Sequence, residues 1–108
     1  MSSKDIYFIG ICGTGVGALA GLLKAQGHHV RGSDVHSYPP MSDKLREWGI
    51  PVIEGHDAKN LDPQPDLVII GNVVRATNPE AVAVRERNIP HMSMPQAIAE
   101  FGIGEKHS

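Results

Sequence analysis

The chain has 108 residues, an apolar fraction of 41% and a formal net charge of −2, which fits a single globular domain with a real core. Lysine and arginine form no basic block or stripe, so nucleic acid is not expected as a partner. The single cysteine, Cys12, rules out an internal disulfide and fits a reducing compartment. No apolar run approaches the ~20 residues that span a bilayer, and residues 1–5 lack a signal-peptide pattern. We therefore expect a cytoplasmic protein without a membrane partner.

Short apolar runs alternate with helix-like segments along the chain. Strands are predicted at 6–9, 29–33, 51–54, 67–70 and 89–93, and the unbroken apolar character of 67–70 indicates burial on both faces. Helices are predicted at 15–26, from 39–41 to Gly49 with Leu45 and Trp48 on one face, at 79–87 behind an Asn78 N-cap, and at 95–101. This alternation predicts an α/β, Rossmann-like, three-layer domain whose five-stranded parallel sheet has the order 3-2-1-4-5.

A glycine-dense loop joins the first strand to the first helix. Glycines let the backbone turn tightly and let an anion approach, and the free N–H groups at a helix N-terminus attract negative charge. Cys12 stands where a dinucleotide fingerprint, Gly10-x-Gly-x-x-Gly15, has its second glycine. Gly13 and Gly17 can supply the close approach in a shifted register, and a tight turn without a ligand is the alternative. The predicted anion-binding residues are Cys12, Gly13, Thr14, Gly15, Val16 and Gly17.

Three further groups of residues lie at the carboxyl ends of strands, which line the ligand crevice of an open parallel sheet. Ser33 and Asp34 end the second strand, at the spacing where an acidic residue bonds ribose hydroxyls, although both residues also favour plain turns. His56 follows the third strand, with an ordinary loop role as the alternative. The fourth strand ends at Gly71, Asn72 and Val73, which either line the crevice or form a turn.

Catalytic and metal sites are not predicted. Cys12 lies near a positive helix end, which lowers a thiol pKa, but a small half-buried loop residue is the preferred interpretation because no base is fixed beside it. The six histidines show no metal-ligand spacing. The sequence also lacks a Gly-x-x-x-x-Gly-Lys-Ser/Thr loop, an acid–base pair and a triad, so no cofactor is assigned to this domain.

The same segments resemble the N-terminal domain of the Mur ligases, over nearly the whole chain to about Phe101. The resemblance is carried by residues 10–17, 32–34, 38–42, 71–72 and 78–79. Cys12 and the Tyr-Pro-Pro-Met-Ser segment at 38–42 are typical of the branch that recycles cell-wall peptides. The branch that adds L-alanine usually has glycine in place of Cys12.

The resemblance implies that residues 1–101 bind UDP-N-acetylmuramate and that 102–108 are a tail or linker. The loop from Cys12 to Gly17 would hold the UDP diphosphate, Ser33 and Asp34 would lie near the uridine, and His56 and 71–73 would line the rest of the pocket. ATP and Mg²⁺ would bind a central domain, and the acceptor peptide a third domain, so this domain alone would be inactive. The alternatives are the N-terminal domain of a UDP-N-acetylmuramate–L-alanine ligase, an NAD(P)-binding oxidoreductase domain, and a scaffold with an unoccupied loop.

Overall fold

A computed structural model describes residues 4–12, 14–34, 41–62, 64–71 and 77–101. Within these residues, the strands are β1 (Asp5–Ile9), β2 (His29–Asp34), β3 (Val52–Glu54), β4 (Leu67–Ile70) and β5 (His91–Ser93). The helices are α1 (Thr14–Ala25), α2 (Met41–Glu47), α3 (Pro79–Glu86) and α4 (Met94–Phe101), together with a 3₁₀ helix at Ala58–Leu61.

The described strands form one five-stranded sheet with the order β3-β2-β1-β4-β5. Every neighbouring pair is parallel, and the register pairs Ile9 with Ser33 on one side and with Ile70 on the other. The predicted fold class and strand order are therefore confirmed. This order puts β1 at the centre, so the loop that follows β1 lies between the carboxyl ends of β2 and β4.

Helices cover both faces of the sheet. Alternate β1 residues point to opposite sides: Ile6 and Phe8 pack in one cluster with apolar residues of α1, α2 and α4. Tyr7 and Ile9 pack in the other with residues of α3 and with Leu61 from the 3₁₀ helix. Leu67, Val68 and Ile69 are all buried, which confirms the prediction for β4 and gives the three-layer arrangement its central strands.

Helix ends agree with their predicted signals. The Asn78 side chain accepts hydrogen bonds from the backbone N–H groups of Glu80 and Ala81 at 2.8 and 3.3 Å, and Pro79 is the first residue of α3. Gly27, after α1, has a φ of 102°, a left-handed conformation that glycine adopts without strain. The N-cap at Asn78 and the helix end at Gly27 could both be predicted because each depends on residues adjacent in the sequence.

Three details differ from expectation. The 3₁₀ helix was not predicted, and β5 begins at His91 rather than at 89. Leu45 is buried as expected, but Trp48 is 39% exposed. The Trp48 ring lies over α1, where a Cβ at Gly21 would come within 2.4 Å of it. Trp48 therefore holds α2 against α1 from the edge of the core.

Several predictions fall outside the described residues. These are the roles of Gly13, Asn72 and Val73, the helix start and family resemblance at 38–40, and the tail at 102–108.

Candidate functional site

The glycine loop begins with a turn that only glycine adopts easily. Gly10 follows β1 with a φ of 82°, where an L side chain is strained. The chain then turns through Ile11 and Cys12 before α1 begins at Thr14. This turn directs the N-terminus of α1 over the carboxyl edge of the sheet, which is where open parallel sheets bind ligands.

The first part of the loop is hydrogen-bonded to the end of β2. The Ser33 carbonyl accepts from the N–H groups of Gly10 and Ile11 at 2.8 and 3.0 Å. Asp34 Oδ2 accepts from the Cys12 N–H at 2.9 Å. These three N–H groups are already satisfied within the protein, so the groups left to meet an anion are those further along, at the start of α1.

The N-terminus of α1 has the chemistry of an anion-binding position. The first N–H groups of a helix have no partner inside the helix and carry its positive end. Gly15 is exposed in the first turn, and a Cβ added there would meet only Met94 Cε at 3.9 Å. The Val16 side chain is buried in the core, which fixes the helix, while Gly15 beside it is exposed. The absence of a side chain at Gly15 is thus not required by packing.

Gly32, by contrast, is required by packing. A Cβ at Gly32 would lie 2.6 Å from the Phe8 carbonyl oxygen and 2.7 Å from Ile11 Cδ1. Ile11 can cover β2 only because Gly32 has no side chain. The glycine before Ser33 and Asp34 therefore shapes the loop by letting Ile11 pack inward.

Gly71 holds the other side of the loop. Its N–H donates to the Ile9 carbonyl at 3.0 Å. A Cβ at Gly71 would come within 3.1 Å of that carbonyl oxygen and 3.3 Å of Val16 Cγ2. Gly71 is buried, so its described role is the close approach of β4 to the start of α1.

The Ser33 side chain points away from the loop, into a buried polar cluster. Ser33 Oγ lies 2.5 Å from Glu80 Oε1 and 2.9 Å from His56 Nδ1. Ser33 and Glu80 are both fully buried. The carbonyl of Ser33 thus serves the loop while its hydroxyl serves the cluster, and its predicted contact with uridine stays a prediction.

Asp34 and His56 lie on neighbouring strand ends. The Asp34 carbonyl accepts from the Gly55 N–H at 2.8 Å, which links the end of β2 to the turn before His56. Gly55 has a φ of 91°, and this turn places the His56 side chain, 11% exposed, beside Ser33 and Glu80. The structure therefore places three of the predicted site residues, Ser33, Asp34 and His56, at neighbouring strand ends that hydrogen bonds connect.

Glu80 is the residue that the sequence did not reveal. Among the described residues, its Oε2 accepts from Tyr7 Oη at 2.7 Å, Asn60 Nδ2 at 2.7 Å and the Asp57 N–H at 3.3 Å. Its Oε1 accepts from Ser33 and faces His56 Nδ1 at 3.1 Å. A carboxylate this buried is tolerated because both of its oxygens are saturated by donors.

Tyr7 belongs to the same cluster. Burial raises the pKa of the Tyr7 hydroxyl well above its ordinary value, and the neighbouring Glu80 raises it further, partly offset by Ser33 and Arg31. The hydroxyl therefore keeps its proton and remains a donor to Glu80 throughout the neutral range.

Cys12 is partly buried and packs against the cluster formed by Ile6, Phe8 and their partners. Its backbone N–H is bound to Asp34. This environment fits the small loop residue that the sequence favoured over a nucleophile.

The described residues do not fit a site for ATP with Mg²⁺. They contain no group of three or more His, Cys, Asp or Glu side chains that could hold a metal ion. The helix N-terminus supplies N–H groups but no lysine of the Gly-Lys-Ser/Thr type. We assign no ATP-dependent step to these residues. Nor does any helix in the described part of the chain combine the length and hydropathy needed to cross a membrane.

Comparisons with known proteins agree with this geometry. The sequence profile of the Mur ligase family, catalytic domain, matches residues 5–105. The chain is 52% identical over 101 residues to the UDP-N-acetylmuramate–L-alanyl-γ-D-glutamyl-meso-2,6-diaminoheptandioate ligase of Escherichia coli (strain K12), covering 94% of the chain and 22% of that relative. The ligase of the same name from Haemophilus influenzae is 46% identical over 93 residues, covering 86% of the chain and 20% of the relative.

Solved structures show the same architecture. The UDP-N-acetylmuramate:L-alanyl-γ-D-glutamyl-meso-diaminopimelate ligase from Neisseria meningitides superposes with a TM-score of 0.86 at 41% identity, over 92% of the chain and 31% of that structure. A UDP-N-acetylmuramate–alanine ligase from Thermotoga maritima gives 0.85 at 34% identity, over 95% of the chain and 24% of that structure.

The fold defines a Rossmann-like α/β domain with a five-stranded parallel sheet. The chain belongs to the Mur ligase family. It spans only 22% and 20% of the length of the two curated relatives above.

Proposed function

We propose that this chain is the N-terminal, UDP-N-acetylmuramate-binding domain of an ATP-dependent ligase that joins this nucleotide sugar to a murein tripeptide during cell-wall recycling. The observation that carries the proposal is the 52% identity to a relative named for that reaction, sustained over 94% of the chain. Relatives named UDP-N-acetylmuramate–L-alanine ligase are less similar, for example 36% in Clostridium acetobutylicum. The alanine ligase is therefore the second candidate.

The geometry supports a defined orientation of the nucleotide. The diphosphate would lie at the N-terminus of α1, where Gly15 leaves the backbone open. The uridine would extend over the ends of β2 and β3, toward Asp34 and His56, while Gly71 closes the opposite side. Of the predicted loop residues, Thr14, Gly15, Val16 and Gly17 belong to the first turn of α1 and would supply backbone N–H donors.

We further propose that the ligation chemistry takes place outside residues 1–101, which form the UDP-binding domain, with 102–108 as a tail or linker. ATP, Mg²⁺ and the acceptor peptide would bind the central and C-terminal parts of the longer protein. The small share of each relative's length that the chain covers supports this division. A cytoplasmic location is part of the proposal and fits a chain with a single cysteine.

Binding is the direct test. The chain is titrated with UDP-N-acetylmuramate and, separately, with NAD, by NMR or calorimetry. We expect the UDP sugar to shift the amide signals of residues 14–17 and NAD to leave them unchanged. Binding of NAD without a response to the UDP sugar would instead favour an oxidoreductase domain, and no response to either would favour a scaffold.

The acceptor is tested on the longer protein that contains this chain. With ATP, Mg²⁺ and UDP-N-acetylmuramate present, phosphate release is measured with the tripeptide and with L-alanine. We expect release with the tripeptide; release with L-alanine alone would make the protein the alanine ligase.

A further inference from the structure

Glu80 lies outside the predicted nucleotide pocket but contacts two of its residues, Ser33 and His56. It is at the start of α3, it is 0% exposed, and its Oε1 lies 3.1 Å from His56 Nδ1. The other groups on its carboxylate come from β1, β2 and the segment between β3 and β4. Glu80 thus connects the face of the sheet that α3 covers to the turn that carries His56.

The hydrogen-bond pattern determines which His56 nitrogen bears the proton. Ser33 Oγ donates its single hydrogen to Glu80 Oε1 at 2.5 Å, so toward His56 the hydroxyl oxygen can only accept. His56 Nδ1 therefore faces two acceptors, Ser33 Oγ at 2.9 Å and Glu80 Oε1 at 3.1 Å. Nδ1 must carry the hydrogen, and in a neutral imidazole the lone pair then lies on Nε2.

The position of His56 would allow the Nε2 lone pair to accept a hydrogen bond from the proposed nucleotide. The two ring nitrogens diverge, so Nε2 points away from the buried cluster. His56 follows β3, two strands from β1 and therefore about 10 Å from the glycine loop at the usual strand spacing. A nucleotide with its diphosphate at α1 places its ribose along this direction, past Asp34.

We propose that Glu80 is a positioning residue that holds His56 in the Nδ1–H form, so that His56 Nε2 accepts a hydrogen bond from a ribose hydroxyl of the bound nucleotide. The inference rests on the proposed function for its ligand. The Ser33 hydroxyl also positions His56, because it accepts a hydrogen bond from Nδ1 and donates one to Glu80.

The tautomer is measured first, on the ligand-free wild-type chain of 108 residues, so that the buried cluster is intact. Long-range ¹H–¹⁵N spectra distinguish Nδ1–H from Nε2–H, and the His56 signals are assigned by their loss in His56→Asn. We expect Nδ1–H. A neutral His56 with the hydrogen on Nε2 would overturn the proposal.

Glu80→Gln tests the cause. The Gln carbonyl can take the place of Oε2, which meets the three donors on that side, and the amide NH₂ then faces Ser33 and His56. An NH₂ donating toward Nδ1 should switch His56 to the Nε2–H form, which a purely structural role for Glu80 would not do. A folded Glu80→Gln chain with unchanged His56 tautomer would overturn the proposal.

His56→Asn and His56→Gln form a matched pair for the ligand. Asn places its amide near the Nδ1 position and has no atom at Nε2, whereas Gln reaches the Nε2 position. With UDP as the probe, we expect His56→Asn to weaken binding about 10-fold, the scale of one lost hydrogen bond, and His56→Gln to weaken it less. With 2′,3′-dideoxyuridine diphosphate, which lacks the hydroxyls, wild type and His56→Asn should bind equally.

Failure of this inference is distinguishable from failure of the proposed function. If wild type binds UDP and His56→Asn binds it equally well, the inference is overturned and the nucleotide site stands. If wild type binds neither UDP nor UDP-N-acetylmuramate, the proposed function itself fails and the inference falls with it.

Discussion

Substituting Gly15 by alanine should raise stability and lower nucleotide affinity, two effects of opposite sign. Gly15 lies in the first turn of α1, and an added Cβ meets only Met94 Cε at 3.9 Å, an ordinary contact. Glycine costs a helix roughly 0.5–1 kcal/mol relative to alanine. We therefore expect Gly15→Ala to gain up to about 1 kcal/mol, which corresponds to about 4 °C in Tm for a domain of this size.

The same methyl group stands where the diphosphate is proposed to lie. Moving a phosphate oxygen away from one backbone N–H loses a hydrogen bond to a charged group, about 1.5–3 kcal/mol. That loss corresponds to roughly 10- to 100-fold weaker binding. Thermal unfolding followed by circular dichroism gives the first quantity, and NMR titration with UDP gives the second.

Gly32→Ala is the control because packing in the folded chain requires a glycine at this position. Its Cβ would lie 2.6 Å from the Phe8 carbonyl oxygen, so it should lower Tm whether or not a ligand binds. The reasoning about Gly15 is refuted if Gly15→Ala binds UDP as wild type does, or if it loses stability in parallel with affinity as Gly32→Ala does.

Three further substitutions test the framework of the site. Tyr7→Phe removes a donor to Glu80, at a cost of about 1–3 kcal/mol in urea unfolding. Burial raises the Tyr7 pKa above its ordinary 10.0, so the stabilisation from the protonated hydroxyl is complete below pH 10 and is lost as the pH rises further. Tyr7→Phe should therefore flatten the decline in unfolding free energy at alkaline pH. An unchanged decline would contradict this. Gly71→Ala should cost about 1–3 kcal/mol because its Cβ presses on Val16 Cγ2 at 3.3 Å and on a carbonyl oxygen at 3.1 Å, and a wild-type Tm would contradict the close approach. Asn78→Ala should cost about 0.5–2 kcal/mol and Asn78→Ser much less, measured by urea unfolding, since serine also caps a helix; equal losses would exclude a capping role.

The strands and the α-helices could be predicted because their signals are local, whereas the sheet order was inferred from the doubly wound fold that their alternation indicates. The apolar run in β4, the Asn78-Pro79 cap and the glycine after α1 each specify nearby backbone. The 3₁₀ helix was not predicted because its four residues are too few to show a hydrophobic period. Its one local signal is Asp57, whose side chain accepts from the Lys59 N–H at 3.0 Å, a contact equally typical of a simple turn.

The buried cluster could not be predicted because its parts are far apart in the sequence. An acidic residue just after an Asn-Pro cap is ordinarily an exposed partner of the helix dipole. Tyr7 and Ser33 meet Glu80 across 73 and 47 residues. One part could be predicted: neighbouring strand residues point to opposite faces, so the Ser33 hydroxyl and the Asp34 carboxylate are expected on opposite sides of β2.

The contacts of β2 change how the glycine loop is understood. Backbone N–H groups of a phosphate loop are commonly expected to wait for the anion, but those of Gly10, Ile11 and Cys12 already donate to β2. These bonds order residues 10–12 within the protein, so the cost of ordering them is met on folding rather than on binding. The proposed diphosphate would instead meet the first turn of α1, whose position is fixed by Val16 in the core and by Gly71 behind it. Cys12 can replace the second fingerprint glycine for the same reason, because its N–H serves Asp34 rather than the phosphate.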